Sequence, residues 1–129
     1  MTLTTEQARE KFNGAWICEG AVIREGAVIR KGAVICEGAV IRKGAVIGIG
    51  RKGVKDSLVI NGIGYTKNIT AYHCDDGLIV NIGCANDYKG LPINEMRELI
   101  AEKYDSSHEY FLAMDLIERW SNNKGENND

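Results

Sequence analysis

The chain has 129 residues, 44% of them hydrophobic, and carries 16 Lys and Arg against 18 Asp and Glu, a formal net charge of −2 at pH 7. That length allows one compact unit or two fused halves, and the near-even charge balance excludes the uniformly basic face of a general nucleic-acid binder. The charge is nonetheless divided. Residues 14–55 hold eight Lys/Arg and three Asp/Glu, and residues 56–129 hold six and thirteen, so an anionic ligand or a second subunit would be steered to the basic half.

Met1 to Glu10 is polar, without the apolar stretch of a secretory signal. No apolar run is long enough to cross a membrane, and the expected location is the cytoplasm of a bacterial host cell. Residues 1–13 read as an N-terminal helix or cap. From Gly14 the chain repeats one six-residue word: GAWICE, GAVIRE, GAVIRK, GAVICE, GAVIRK, GAVIGI. A fixed period means one structural unit stacked on itself. Six matches neither the heptad nor the 3.6-residue helical period. Ala-Val-Ile reads as a short strand, and the polar pair plus Gly as a corner. Gly20, Gly26, Gly32, Gly38 and Gly44 stand where a tight corner needs positive φ.

The pattern Ile-x-x-Gly-Ala-Val, recurring from Ile23 through Val46, resembles the hexapeptide repeat of left-handed parallel β-helices. That family includes acyltransferases, carbonic-anhydrase-like enzymes and non-enzymatic modules. By this resemblance three hexads make one triangular coil. The fold class expected is therefore α+β: a short left-handed parallel β-helix of about two coils over residues 14–55, followed by a β-hairpin and two C-terminal α-helices over 56–129.

Alternation along a strand decides which side chains face inward. With the Ile and Ala rows inside, the Val row (Val22, Val28, Val34, Val40, Val46, with Trp16 in the first word) points out. An outer apolar row either lies under the C-terminal half or builds a homotrimer, the usual state of the resembled family, doubled through the C-terminal helices into a hexamer. Stacking at a spacing of eighteen also sets Arg24 against Arg42 and Cys18 against Cys36. Two stacked arginines form either a solvated pair or a phosphate-binding corner, since a planar guanidinium grips phosphate with two bonds.

The repeat breaks at Gly48-Ile-Gly-Arg-Lys-Gly. Ser57-Leu-Val-Ile reads as a strand entering a glycine turn, and Asp75-Asp-Gly between Ile69–Cys74 and Leu78–Cys84 signals a hairpin. Pro92 opens a helix whose Ile93, Met96, Leu99 and Ile100 share a face. Ser106-Ser-His-Glu109 reads as a capping box for a second helix, with a stripe of Phe111, Met114, Ile117 and Trp120. Four cysteines without zinc-type spacing suggest free thiols and no metal site.

The segment Asn61-Gly-Ile-Gly-Tyr-Thr-Lys-Asn-Ile-Thr-Ala-Tyr, with Gly77-Leu-Ile-Val-Asn-Ile-Gly-Cys, is similar to the C-terminal domain of small phage and prophage proteins that carry a β-helical N-terminus. Among these are the Thoeris anti-defence sponges, and the resemblance implies sequestration of a cyclic nucleotide or cyclic ADP-ribose-type immune signal at subunit interfaces. The residues themselves suit a phosphate ligand. The glycines let backbone N–H groups approach it, while Tyr65, Thr66, Lys67, Asn68 and Tyr72 add rings, a hydroxyl, a cation and an amide. The ligand-binding candidates are these five with Arg24 and Arg42. No catalytic residue, cofactor or metal is expected, and the chain reads as a non-enzyme. Two alternatives stand beside it. One is a hexapeptide acyltransferase, for which the repeat offers no His; the other is a protein inhibitor of a host defence complex.

Overall fold

The computed structural model describes residues 1–63 and 68–126. β1 (Thr2–Leu3) leads into α1 (Thr5–Lys11), which Thr4 caps. The Thr4 hydroxyl accepts the Gln7 N–H at 3.1 Å, and the Gln7 side chain accepts the Thr4 N–H in return at 2.9 Å. Two otherwise orphaned donors are thereby satisfied. Ala8 and Phe12 of this segment close one end of the repeat interior.

Six strands follow, one per hexad: β2 (Trp16–Ile17), β3 (Val22–Arg24), β4 (Val28–Ile29), β5 (Val34–Ile35), β6 (Val40–Ile41) and β7 (Val46–Ile47). They pair in parallel as β2 with β5, β3 with β6 and β4 with β7, Val22 lying opposite Val40 and Val28 opposite Val46. Every Ile of the row is buried, whereas Trp16 is 64%, Val28 42% and Val40 38% exposed. The five corner glycines have φ between 77° and 93°.

The expected fold class, a left-handed parallel β-helix followed by a hairpin and two helices, is corrected. The strands are two or three residues long and fall into small, separate sheets: two of two strands and one of three. The three-stranded sheet is mixed, because β1 adds antiparallel to β3, Thr2 opposite Arg24. Six hexads supply only two strands to a sheet, and neither the N-terminal segment nor the sheet that follows continues the parallel pattern. The described residues form a mixed α and β fold with three helices.

The second half is a four-stranded antiparallel sheet rather than a lone hairpin. Its order is β11 (Leu91–Pro92), β10 (Gly77–Ile82), β9 (Asn68–Cys74), β8 (Leu58–Asn61). The central strand β9 has both faces covered, so it reads as buried nearly throughout. Tyr72, Cys74 and Ile79 join the repeat core, while Ile69, Ala71 and Val80 join a second core with α2 (Ile93–Lys103) and α3 (Glu109–Glu126). One sheet thus separates two cores. The capping box expected at Ser106 is also corrected. α3 opens at Glu109, where His108 Nδ1 accepts the Tyr110 N–H at 3.2 Å, while the Asp105 carboxylate takes the Ser107 N–H at 2.7 Å and its hydroxyl at 2.6 Å.

Candidate functional site

Where the last hexad meets the sheet, the loop after β10 folds over the repeat. Asn86, Asp87 and Tyr88 adopt φ of 54°, 55° and 67° in succession. Asn and Asp tolerate this left-handed region, but a Tyr there is uncommon and costs of order 1–3 kcal/mol. The surroundings hold it in place. The Tyr88 carbonyl accepts the Ile49 N–H at 3.0 Å, and the Arg51 guanidinium donates to the carbonyls of Lys89 (2.8 Å) and Gly90 (3.0 Å). The loop lies so close that a Cβ on Gly48 would stand 2.6 Å from the Lys89 carbonyl oxygen.

Beneath the loop, Tyr72 is fully buried. Its hydroxyl accepts the Gly48 N–H at 3.1 Å and donates to Asn81 Oδ1, itself on a buried side chain. Burial pushes the Tyr72 phenol up to about 12, only partly opposed by the Gly48 N–H and Arg51. The phenol therefore keeps its proton and serves as a neutral tie between the repeat and the sheet.

Between loop and repeat lies a recess of about 390 Å³, walled by Arg30, Val46, Asn68, Asn81, Gly83, Cys84 and Tyr88. This is within the size of small-ligand sites, ~300–1,000 Å³. The Arg30 guanidinium stacks 4.6 Å from the centroid of the Tyr88 ring. Its Nε is buried and has no hydrogen-bond partner among the described residues. Such a donor is costly to leave unmade. The Asn68 amide donates to the Gly44 carbonyl at 2.6 Å, and its carbonyl oxygen accepts from Thr70 at 2.7 Å.

Of the sequence-predicted residues, Asn68 lines this recess and Tyr72 lies buried behind it. Tyr65, Thr66 and Lys67 lie outside the described residues. Arg24 and Arg42 do not converge on a common opening: Arg24 Nη1 donates to the Thr2 hydroxyl at 2.7 Å, and Arg42 Nε to the Ser57 carbonyl at 3.1 Å. Sequence reasoning missed Arg30, Asn81 and Tyr88. Arg30 stands at the same hexad position as Arg24 and Arg42, so the period alone does not single it out. Cys84, read from sequence as a strand residue, is an exposed loop residue of the recess wall, and all four cysteines are free.

A second cluster was equally invisible in sequence. His73 Nδ1 lies 2.9 Å from Asp56 Oδ2, and Nε2 lies 2.7 Å from the Ser121 hydroxyl, while Trp120 stacks on the ring at 5.1 Å. Burial raises the Asp56 carboxyl, but hydrogen bonds from the His73 ring and N–H, with the charges of His73 and Lys124, outweigh it and hold the group below its ordinary 3.8. The connectivity is that of an acid, a base and a hydroxyl. Ser121, however, lies inside α3, where backbone N–H groups are committed to the helix ladder and offer no oxyanion donors. The geometry makes this cluster a clamp holding α3 to the sheet.

Among the described residues no helix is long and apolar enough to cross a membrane, and no group of three metal-ligating side chains occurs. No protein-family model, curated protein or solved structure matches the chain, so the recess and its chemistry carry the functional reading.

Proposed function

We propose that this chain is a non-enzymatic binding protein that holds a phosphate-bearing small molecule, of the cyclic-nucleotide class, in the recess under the 83–90 loop. The observation that carries the reading is Arg30: a cation braced by Tyr88, with a buried donor that no described residue engages. A phosphate in the recess supplies the opposite charge for this guanidinium, whose planar fork suits phosphate. The basic balance of the repeat half supports delivery of an anion to this point. Association through the outward Val row would set a neighbouring subunit beside the recess, since Val46 lines it and Val28, its pairing partner, is 42% exposed. The counter-defence role, capture of a nucleotide immune signal, rests on the sequence resemblance.

Calorimetry with inorganic phosphate, AMP, cyclic mono- and dinucleotides and ADP-ribose tests it. At least one nucleotide should bind and return chemically intact after denaturation. Arg30→Gln should weaken it by about 1.5–3 kcal/mol, roughly ten- to a hundredfold. Equal binding by Arg30→Gln and Lys67→Ala would place the ligand elsewhere; no binding by any of the panel would end the proposal.

A further inference from the structure

Two of the six words carry Cys where three others carry Arg and the last carries Gly, and the two cysteines are a stacked pair, Cys18 and Cys36. β2 and β5 run parallel with Ile17 opposite Ile35, so Cys18 and Cys36 leave adjacent strands side by side. The register holds into the corner: the Cys18 N–H donates to the Ile35 carbonyl at 3.0 Å, and a Cβ on Gly20 would stand 3.2 Å from Glu37 Cγ. Each cysteine also opens the same turn, its carbonyl accepting the N–H three residues on, from Ala21 at 3.4 Å and from Ala39 at 3.1 Å.

Equal turns on adjacent rungs aim the two Cβ atoms the same way. Paired strands lie about 4.8 Å apart, inside the roughly 4.4–6.8 Å between Cα atoms that a disulfide spans. Parallel Cβ atoms start at that same separation and must close by about 1 Å to reach the ~3.8 Å of a relaxed bridge. The corner leaves room for that shift, since Gly38, two residues after Cys36, would meet nothing within 4 Å even with a Cβ. Both thiols are free and part-exposed, unlike the buried Cys74. Glu19 and Glu37, both exposed, give the pair an acidic rim.

We propose that Cys18 and Cys36 are a reversible redox pair, which closes to an intrachain disulfide by exchange with a low-molecular-weight disulfide. One cysteine thiolate attacks a sulfur of the small disulfide, whose S–S bond breaks and releases one thiolate. The neighbouring cysteine thiolate then attacks the mixed disulfide at the protein sulfur, forming the Cys18–Cys36 bond and expelling the second small thiolate. The two protons lost by the cysteines end on the two small thiols, so the protein is oxidised by two electrons and the small disulfide is reduced by two. The displacement each Cβ must make leaves the bridge strained, and strained bridges are the easily reduced ones. The pair therefore opens again in excess small thiol. The site lies on a different corner from Arg30 and does not depend on the nucleotide reading.

Exchange of the full, folded chain with cystamine tests it, a cationic disulfide being suited to the acidic rim. Samples are acid-quenched, the remaining thiols alkylated and the peptides mapped. The parent should lose both thiols together as one Cys18–Cys36 bridge within a single chain, and excess cysteamine should restore both. Cys18→Ser and Cys36→Ser, at a position the repeat also fills with Arg and Gly, should each stop at one cysteamine on the remaining thiol. The ratio of bridge to mixed disulfide at fixed cysteamine reads the effective concentration of one thiol at the other. It should be at least about tenfold higher in the folded chain than in urea. The same ratio in both states overturns the inference, because nearness in sequence alone would then account for the bridge. So does a parent that keeps mixed disulfides at Cys18 and Cys36, leaves both thiols unmodified, or bridges either of them to Cys84 or to another chain instead.

Discussion

The repeat half and the sheet–helix half are built on opposite principles. In the repeat, each hexad is nearly the same sentence, and each position does one job: Ile inward, Val outward, Gly at the corner. Its pairings connect residues eighteen apart and recur without variation. In the sheet–helix half no position repeats, and the side chains that matter are unique: Tyr72, Asn81, His73, Arg97. The unusual chemistry collects where the two halves meet. The left-handed Asn86–Tyr88 run, the Tyr72–Asn81 bond and the Arg30 Nε that no described residue engages all lie on that seam. A periodic surface presents identical features at every step, so an aperiodic partner is needed to make one step different from the rest.

Breaking the seam should have the largest effect. Tyr72→Ala empties a fully buried site in the repeat core and removes the tie to Gly48 and Asn81. The expected loss is about 3–5 kcal/mol by denaturant melt. Tyr72→Phe keeps the ring but strands the Gly48 N–H and the Asn81 oxygen, for about 1–3 kcal/mol. If the halves were independent, the melt of Tyr72→Ala would split into two transitions, with the sheet–helix half unchanged; a single shifted transition supports the shared sheet.

How much of this was legible follows from the same contrast. The burial of every Ile of the row, the exposure of Val28 and Val40 and the positive φ of the corner glycines were readable, because each depends on neighbours within one hexad. The Asp75-Asp76 turn was readable for the same reason: its Gly77, at φ 98°, is a local requirement. The sheet arrangement was not. That β1 pairs antiparallel with β3 joins segments separated by α1 and β2, and that β8 and β11 add to the two edges of the β9–β10 pair depends on backbone pairing that no side-chain period encodes. Arg24 meets Thr2, Arg42 meets Ser57 and Arg30 meets Tyr88 of the 83–90 loop, and no local signal carries that information. His73, Asp56 and Ser121 are likewise brought together from three separate elements.

A medium effect should come from the His73 clamp, within the aperiodic half. Asp56→Asn removes the charged acceptor of the His73 ring and should cost about 1.5–3 kcal/mol at neutral pH. The sign with pH is fixed by the depressed carboxyl. A group held below its ordinary 3.8 stabilises the fold fully above that value, and the contribution disappears as pH falls through the lower folded pKa. The gap between parent and Asp56→Asn should therefore persist down to about pH 5 and close in stronger acid. A gap already closed at about pH 5 would mean the clamp is not held by an ionised Asp56.

The smallest effect tests whether repeated words are equivalent in energy as well as in spelling. Gly32 and Gly38 occupy the same hexad position with φ of 80° and 77°. A Cβ on Gly38 meets nothing within 4 Å, while one on Gly32 would stand 3.2 Å from the Gly50 Cα. Gly38→Ala then bears the left-handed backbone penalty alone, about 1–2 kcal/mol. Gly38→Asn should recover much of it, since Asn enters that region more readily. Gly32→Ala bears the same penalty plus contact with a backbone atom that cannot rotate away, so it should cost more than Gly38→Ala, and Asn should rescue it less. Chemical melts of the four variants give the comparison directly. Equal costs at both corners would mean that the neighbouring Gly50 segment yields freely, and that the break after the last hexad is not packed against the corner below it.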